Sequence, residues 1–385
     1  MLPKLKAQNA KRKITWVTPD YFVDCDFNID IFKHILNTFD VHWIVLLPAK
    51  NARFSEADFQ ELMELDGLRI EFLYSSYRQR DPRRLGYYLN LLRKINRDGS
   101  DINYFNCVPD PYSMPLFWLL NKNRTIFCAH DGEVTGAFNF AAITKIAFKY
   151  SYSFARFVNM FSKSQAGKFK INYPQSEIFT TYLALKSFGA YKPIDTDQDK
   201  ITFLSFGVIN YSKNIELLIE AACNIYEQGY DNFKISINGS CANWEYYQSF
   251  IRYPELFECQ IRMIDNVEIP ALFGNASYFV QPYRQVSQSG AMKVAFYYNL
   301  PVLASDFPGF RDEVVEGVNG YLFDPSDVKN LEKLMIERLE KHNRDYGQLK
   351  SKMQEHITRR YANKELAQNY ITMFNQVINS SHAAA

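Results

Sequence analysis

At 385 residues the chain is too long for one ordinary domain, and two domains of about 150–200 residues are the expectation. Its 44 Lys and Arg against 42 Asp and Glu leave a formal net charge of +2, which excludes a global nucleic-acid-binding footprint. The apolar share of 47% is ordinary for a globular protein, and no apolar run approaches the roughly 20 residues of a membrane span. The six cysteines form no C-x-x-C pair and no zinc-like spacing with His, which fits a reduced, cytoplasmic setting. No apolar h-region follows the basic stretch Lys4 to Lys13, so no signal peptide is expected. Aromatic content is high at 16%, and composition bias is the preferred explanation over a sugar-stacking surface.

In chain order, Ile14 to Thr18 reads as a first strand ended by Pro19-Asp20. The loop from Tyr21 to Asp26 is rich in aspartate. An Asp cap for a helical segment Ile29 to Phe39 is the simpler reading of it. His42 to Leu47 and Leu68 to Tyr74 are further strands flanking a helix over Phe54 to Leu65. Ser76 to Asp98 is the most basic stretch, with Arg78, Arg80, Arg83, Arg84, Arg93, Lys94 and Arg97 between Leu85, Tyr88, Leu89, Leu92 and Ile95. The helical spacing of the apolar set points to a core face with solvated charges opposite. The sharper reading is that 78–97 docks on anionic membrane. Ile102 to Cys107 is a strand, Met114 to Leu120 is helical, and Arg124 to Ala129 is a strand ending in His130-Asp131. A His at the C-terminal end of a parallel strand lies where α/β folds place ligands, although a satisfied structural His is the commoner case for such a residue alone. Phe157 to Phe161 is strand-like, and Lys186 to Lys200 is a polar, turn-rich linker.

Ile201 to Phe206 opens a second βαβ alternation, and Phe206 to Ala222 reads FGVINYSKNIELLIEAA. Phe233 to Ile237 is a strand closed by Asn238-Gly239-Ser240. Trp244 to Arg252 is helical; Ile261 to Ile264 reads as a strand and Pro270 to Gly274 as a short helix, with Asn266, Val267 and Glu268 in the loop between. From Tyr278 the order is strand (to Gln281), polar loop (Pro282 to Gly290), helix (Ala291 to Tyr298), strand (Pro301 to Ala304), a turn at Pro308-Gly309 and a helix start near Asp312-Glu313. A loop ending in Gln288-Ser289-Gly290 before a helix offers unpaired backbone N–H groups and the positive end of a helix dipole, which suit a phosphate. Val328 to His342, Asn343 to His356 and Lys364 to Ile378 read as three closing helices.

The stretch Tyr278 to Asp327 resembles the donor-binding segment of GT-B-type glycosyltransferases of the group 1, family-four class, in a QSG-containing subgroup. Pro282, Tyr283, Gln288, Ser289, Gly290, Ala295, Pro301, Val302, Gly309, Glu313, Val314, Gly317, Gly320 and Asp327 carry the likeness. The 206–222 element is similar to the family's first donor-side loop through Gly207, Ile209, Lys213, Leu218, Ile219 and Ala221, with Asn210 in place of the usual Arg and Asn214 in place of a Gly. The resemblance implies two Rossmann-like domains whose parallel sheets face a central cleft: an acceptor-side domain over 1–188, onto which 364–385 packs back, and a nucleotide-sugar domain over 198–363. It implies a retaining, metal-independent hexosyltransferase that uses a UDP- or GDP-linked sugar as co-substrate, with no other cofactor. Its acceptor would be a glycan or a lipid-linked glycan in surface polysaccharide biosynthesis, at the cytoplasmic face of a membrane.

Carried over to this sequence, His130 and Asp131 would be catalytic. Gly207, Asn210, Lys213, Gly239, Val267, Tyr283, Gln288, Ser289, Gly290, Ala291 and Glu313 would bind the donor, and Asp20, Tyr21 and Asp24 the acceptor. Many relatives carry a spaced pair of glutamates where this chain has Val286 and Val294, so ribose recognition falls to Glu313 and Gln288. The same departures, with Asn210, support a competing reading as a catalytically weak nucleotide-sugar-binding protein. A nucleotide-sugar epimerase is the third.

Overall fold

The computed structural model describes residues 11–23, 29–78, 81–106, 112–132, 141–191 and 200–382. The chain divides into two compact units, one formed by Met1–Tyr182 with Asn363–Ala385 and one by Leu183–Ala362.

In the first unit the strands are β1 (Arg12–Pro19), β2 (Phe39–Pro48), β3 (Leu68–Ser75), β4 (Ile102–Phe105), β5 (Thr125–Ala129), β6 (Phe157–Met160) and β7 (Glu177–Thr180). Among the described residues they form a seven-stranded sheet in the order β3-β2-β1-β4-β5-β6-β7, with every pairing parallel. β1 is buried on both faces, as a central strand of a covered parallel sheet is. Strand alternation sends Val17 to one face, whose core also holds Ile44, Leu92, Phe105, Phe127 and Phe169. Trp16 points to the other face, with its ring 5.2 Å from Phe32, 4.5 Å from Tyr104 and 5.1 Å from Tyr370. Tyr370 and Phe374 belong to the helix Asn363–His382, so the last helix covers this face of the first sheet. Many of the abundant aromatic residues are therefore core material.

In the second unit the strands are β8 (Ile201–Phe206), β9 (Phe233–Asn238), β10 (Phe257–Gln260), β11 (Tyr278–Gln281), β12 (Val302–Ser305) and β13 (Gly320–Phe323). The described residues place them in the order β10-β9-β8-β11-β12-β13, again all parallel. Phe203, Ile219, Ile235, Leu303 and Leu331 lie in its main core. Two parallel sheets in an α/β arrangement with a closing C-terminal helix are the fold that the resemblance implied.

Several elements differ from the sequence pattern. The strand expected over Ile261 to Ile264 lies at Phe257–Gln260, an edge strand whose residues are mostly exposed and so carry little burial signal. Val328–Arg360 is one helix rather than two, because Leu339, Leu349, Met353 and Ile357 continue its buried stripe past Asn343. Ile29 to Phe39 and Phe54 to Leu65 hold only short helical turns, at Ile29–Ile31 and Phe32–Ile35 and at Glu56–Phe59 and Gln60–Met63. The helix after β12 is Pro308–Arg311, started by Pro308 at its first position and finished before Glu313.

One buried polar network ties the first unit together. His42 of β2 is buried, and its ring nitrogens lie 3.1 Å from Asp98 Oδ2 and 3.1 Å from Glu71 Oε2. Lys13 Nζ donates to Asp98 at 2.6 Å, Thr15 Oγ1 to the same carboxylate at 3.0 Å, and Lys94 to Glu71. Burial would raise the Asp98 carboxyl, but hydrogen bonds from Lys13, His42 and Thr15 outweigh it and hold the group well below the usual carboxylate range. A carboxyl depressed in the folded state contributes stability that is fully present above its unfolded pKa, about 4, and is lost as the pH falls. Urea unfolding is therefore expected to show stability declining below about pH 4, and Asp98→Asn to lower stability at neutral pH and flatten that decline. An unchanged acid slope in Asp98→Asn would remove Asp98 as its source.

Candidate functional site

In the second sheet the chain runs outward from β8 through β9 to β10, then returns to start again at β11 beside β8. Ligands of open α/β sheets bind beyond the carboxyl ends of the strands at such a reversal. The loops that leave β8 and β11 carry most of the expected donor-side residues.

After β8, Gly207 has φ 120° and Asn210 Oδ1 accepts from Ser212 N at 3.0 Å, which starts the turn Tyr211–Lys213. Asn214 follows at φ 53°, a left-handed position that Asn tolerates, and admits the helix Ile215–Glu227. Asn210 is thus used by its own loop. The loop after β9 closes on the same place: a Cβ on Gly239, at φ 146°, would stand 1.9 Å from the Gly207 carbonyl oxygen. Only glycine allows that approach.

After β11 the chain places Tyr283 over Lys213. The Lys213 ammonium donates to Tyr283 Oη at 2.5 Å and lies 3.8 Å from the ring centroid. Gln281, the last residue of β11 and fully buried, donates from Nε2 to Tyr283 Oη at 3.0 Å and to Ser289 Oγ at 2.7 Å. Its Oε1 has no hydrogen-bond partner among the described residues. Ser289 is the N-cap of the helix Gly290–Tyr297, its Oγ accepting from Met292 N at 3.3 Å. Gly290 is exposed at the first turn and Ala291 and Gln288 are half-buried. Arg284 clasps the two loops together, donating to Tyr211 O at 2.7 Å and to Glu216 Oε1 at 2.9 Å. Lys213, Tyr283 and the capped helix start are thus brought together.

Glu313 lies outside this cluster of contacts. Its carboxylate accepts from Lys293 Nζ at 2.6 Å and from Tyr361 Oη, and Lys293 Nζ also donates to Tyr361 Oη at 2.9 Å. Lys293 is buried, and desolvation lowers its pKa even though Glu313 pulls the other way. Val267 is exposed on the turn before the helix Ile269–Gly274, beside the Arg262–Glu268 ion pair at 2.5 Å. Gln281, Lys293 and Arg284 were missed from the sequence. A polar side chain closing a buried strand, and a lysine inside the apolar run Ala291 to Phe296, were the available signals.

In the first unit His130 follows β5, with its ring 5.1 Å from Phe22 and 5.4 Å from Phe161, and Asp131 is half-buried beside it. Gly132 is packed so closely that a Cβ would stand 2.4 Å from the Gln165 carbonyl, and its amide donates to Gln165 Oε1 at 2.9 Å. Asp20 opens the turn Asp20–Phe22, which includes Tyr21, and its carboxylate accepts from Arg53 N at 2.9 Å and Phe54 N at 3.2 Å. It therefore braces a loop, and the expected Asp cap of the Ile29 segment falls on Asp24 and Asp26 outside the described residues. Asp24 lies outside the described residues. Among the described residues no group of three His, Cys, Asp or Glu converges as metal ligands would.

Two parallel-sheet units, with a phosphate-suited loop at the strand reversal of the second, define the GT-B class of fold. Residues 191–360, a little under half of the chain and most of the second unit, match the family profile of glycosyl transferases group 1. No curated protein matches it in sequence. Among solved structures it is similar to Anabaena HepE in complex with UDP and glucose, with 15% identity, a TM-score of 0.63, and coverage of 95% of this chain and 100% of that one. Sucrose-phosphate synthase from Thermosynechococcus elongatus is similar at 14% identity and a TM-score of 0.70, over 97% of this chain and 100% of its own. The Escherichia coli trehalose-6-phosphate protein bound with UDP-2-fluoro glucose follows at 10% identity and a TM-score of 0.67, over 94% and 99%.

Ser289 both caps its helix and receives the buried Gln281 amide. Ser289→Ala is expected to lower the unfolding free energy by about 1–2 kcal/mol. Urea denaturation checks this, and a change near zero would show that neither contact matters.

Proposed function

We propose that this protein is a glycosyltransferase that moves a hexose from a nucleotide sugar, UDP-linked before GDP-linked, to a hydroxyl of a glycan or lipid-linked acceptor. The observation that carries the reading is the meeting of Lys213, Tyr283 and the Ser289-capped helix start at the strand reversal. A leaving nucleoside diphosphate needs positive charge and N–H donors aimed where its negative charge grows. Lys213 supplies the ammonium, and the first-turn amides of Gly290 and Ala291 with the helix dipole supply the rest. The UDP bound to Anabaena HepE and the UDP-2-fluoro glucose on the Escherichia coli protein favour uridine as the base. Gln288 and the backbone around Val267 would contact the nucleoside, and Gly207 and Gly239 would let the two loops close against it. Glu313, engaged by Lys293 and Tyr361, would act by fixing the helix rather than by holding ribose.

On the acceptor side, His130 would contact the transferred sugar or the acceptor hydroxyl, with Asp131 next to it; Asp20 would shape the nearby loop. The transfer would retain anomeric configuration without a metal. The configuration of the product and activity in excess chelator check both. The place in surface polysaccharide synthesis follows only from the likeness to its family.

A second reading, a nucleotide-sugar binder with little turnover, has one observation in its favour: Asn210 gives its side chain to Ser212 and adds no fork of donors for phosphate. Donor hydrolysis separates the two, because released nucleotide supports transfer and tight binding without release supports the binder.

Lys213→Ala should weaken UDP by roughly tenfold to a hundredfold while leaving uridine nearly unchanged, since charge-assisted hydrogen bonds contribute about 1.5–3 kcal/mol. Calorimetric titration of both ligands checks this, and equal losses would place Lys213 away from the diphosphate. His130→Ala should leave UDP affinity within about twofold and lower transfer by roughly a hundredfold. Undiminished transfer would remove His130 from the reaction.

A further inference from the structure

The first unit presents a large apolar face. Trp118 is 57% exposed, Leu119 49%, Ile146 71% and Tyr150 44%. The Trp118 ring lies 6.0 Å from Tyr150 and 5.0 Å from Phe154, and Ile146 stands one turn from Tyr150 on the helix Ala141–Phe154. Four large apolar side chains exposed together are the kind of surface that serves as an interaction site.

The charge around it is one-sided. Asn96 Nδ2 donates to Leu119 O at 2.9 Å, which joins the helix Arg84–Asp98 to the patch and sets the exposed Arg93 and Arg97 near its edge. Lys149 neighbours Tyr150 and Lys122 follows Leu119 closely, both exposed. Across 84–98, 112–132 and 141–156 the acidic residues are Asp98 and Asp131, and Asp98 is already engaged by Lys13 and His42. The start of the basic stretch is held within the fold: Arg83 pairs with Asp81, Arg84 binds Tyr88 Oη and Tyr77 O, and Lys94 binds Glu71.

We propose that this Trp118-centred face docks the protein on the surface of anionic phospholipid membranes. Trp and Tyr favour the headgroup boundary, Leu and Ile bury into the acyl edge, and a basic rim meets anionic headgroups. The contact is peripheral; no described helix is long and apolar enough to cross a membrane. It shifts the docking surface from the whole 78–97 stretch to that stretch's far end and the aromatic face beside it. This inference stands apart from the choice of donor or acceptor.

The test is flotation of the full chain with vesicles of phosphatidylcholine alone or with phosphatidylglycerol. Recovery is expected with the anionic vesicles, low with the neutral ones and falling as salt is raised. Of the four tryptophans, Trp16 and Trp43 are buried and the half-buried Trp244 belongs to the second unit, so quenching by brominated lipid should report Trp118 and largely vanish in Trp118→Phe. The triple variant Arg93→Gln, Arg97→Gln, Lys149→Gln keeps the apolar face and should lower partitioning by roughly tenfold or more, with unchanged circular dichroism and melting. Equal recovery on both vesicle types, or undiminished partitioning of the triple variant, would overturn the proposal. So would a concentration-dependent dimer abolished by Trp118→Ser without any flotation, which would give the face to a second copy of the chain.

Discussion

The buried amide of Gln281 is the contact on which the second unit's site depends. It sits at the last position of β11, where the sheet reverses, and gives its two N–H groups to Tyr283 and Ser289. Through Tyr283 it reaches the ammonium of Lys213 on the loop after β8, and through Ser289 it reaches the first turn of the following helix. One side chain thus sets the spacing between the cation and the helix start. Arg284 repeats the tie from outside by binding both Tyr211 and Glu216. On the function proposed above, groups that meet a developing charge work best when they need not move, and these contacts would hold them in advance.

Much of this was legible in the sequence, for physical reasons. Buried parallel strands read as short apolar runs, and β8, β9, β11 and β12 lay where those runs did. Glycine, serine and lysine at the strand ends marked the loops, and Lys213, Tyr283 and Ser289 came together as their positions suggested. β10 escaped because an exposed edge strand lacks alternation. The helix Val328–Arg360 reads in sequence as two, split after His342, whereas its buried stripe carries on through Asn343. Gln281 and Lys293 were silent for another reason. Both are polar residues in apolar surroundings, and one sequence does not say whether such a residue has partners. The partners of Lys293, Glu313 and Tyr361, come from distant segments and are visible only once the chain is folded.

The aromatic excess also divides into two physical roles. Trp16, Trp43, Phe32 and Tyr104 are fully buried or nearly so, and pack edge-on or tilted at centroid distances typical of such pairs. Trp118 and Tyr150 instead sit in the open beside lysine and arginine. The same composition therefore serves cohesion in one place and recognition in another, and only burial tells the two apart.

The return of the helix Asn363–His382 to the first sheet has a consequence for how the protein is made. Tyr370 and Phe374 close the face around Trp16, yet they are synthesised after the whole second unit. A ribosome-bound chain would carry an uncovered aromatic surface on its earlier strands until the helix Asn363–His382 has been made, while the second unit precedes that helix entirely. The first unit would thus complete its core after the second, although its strands are made first.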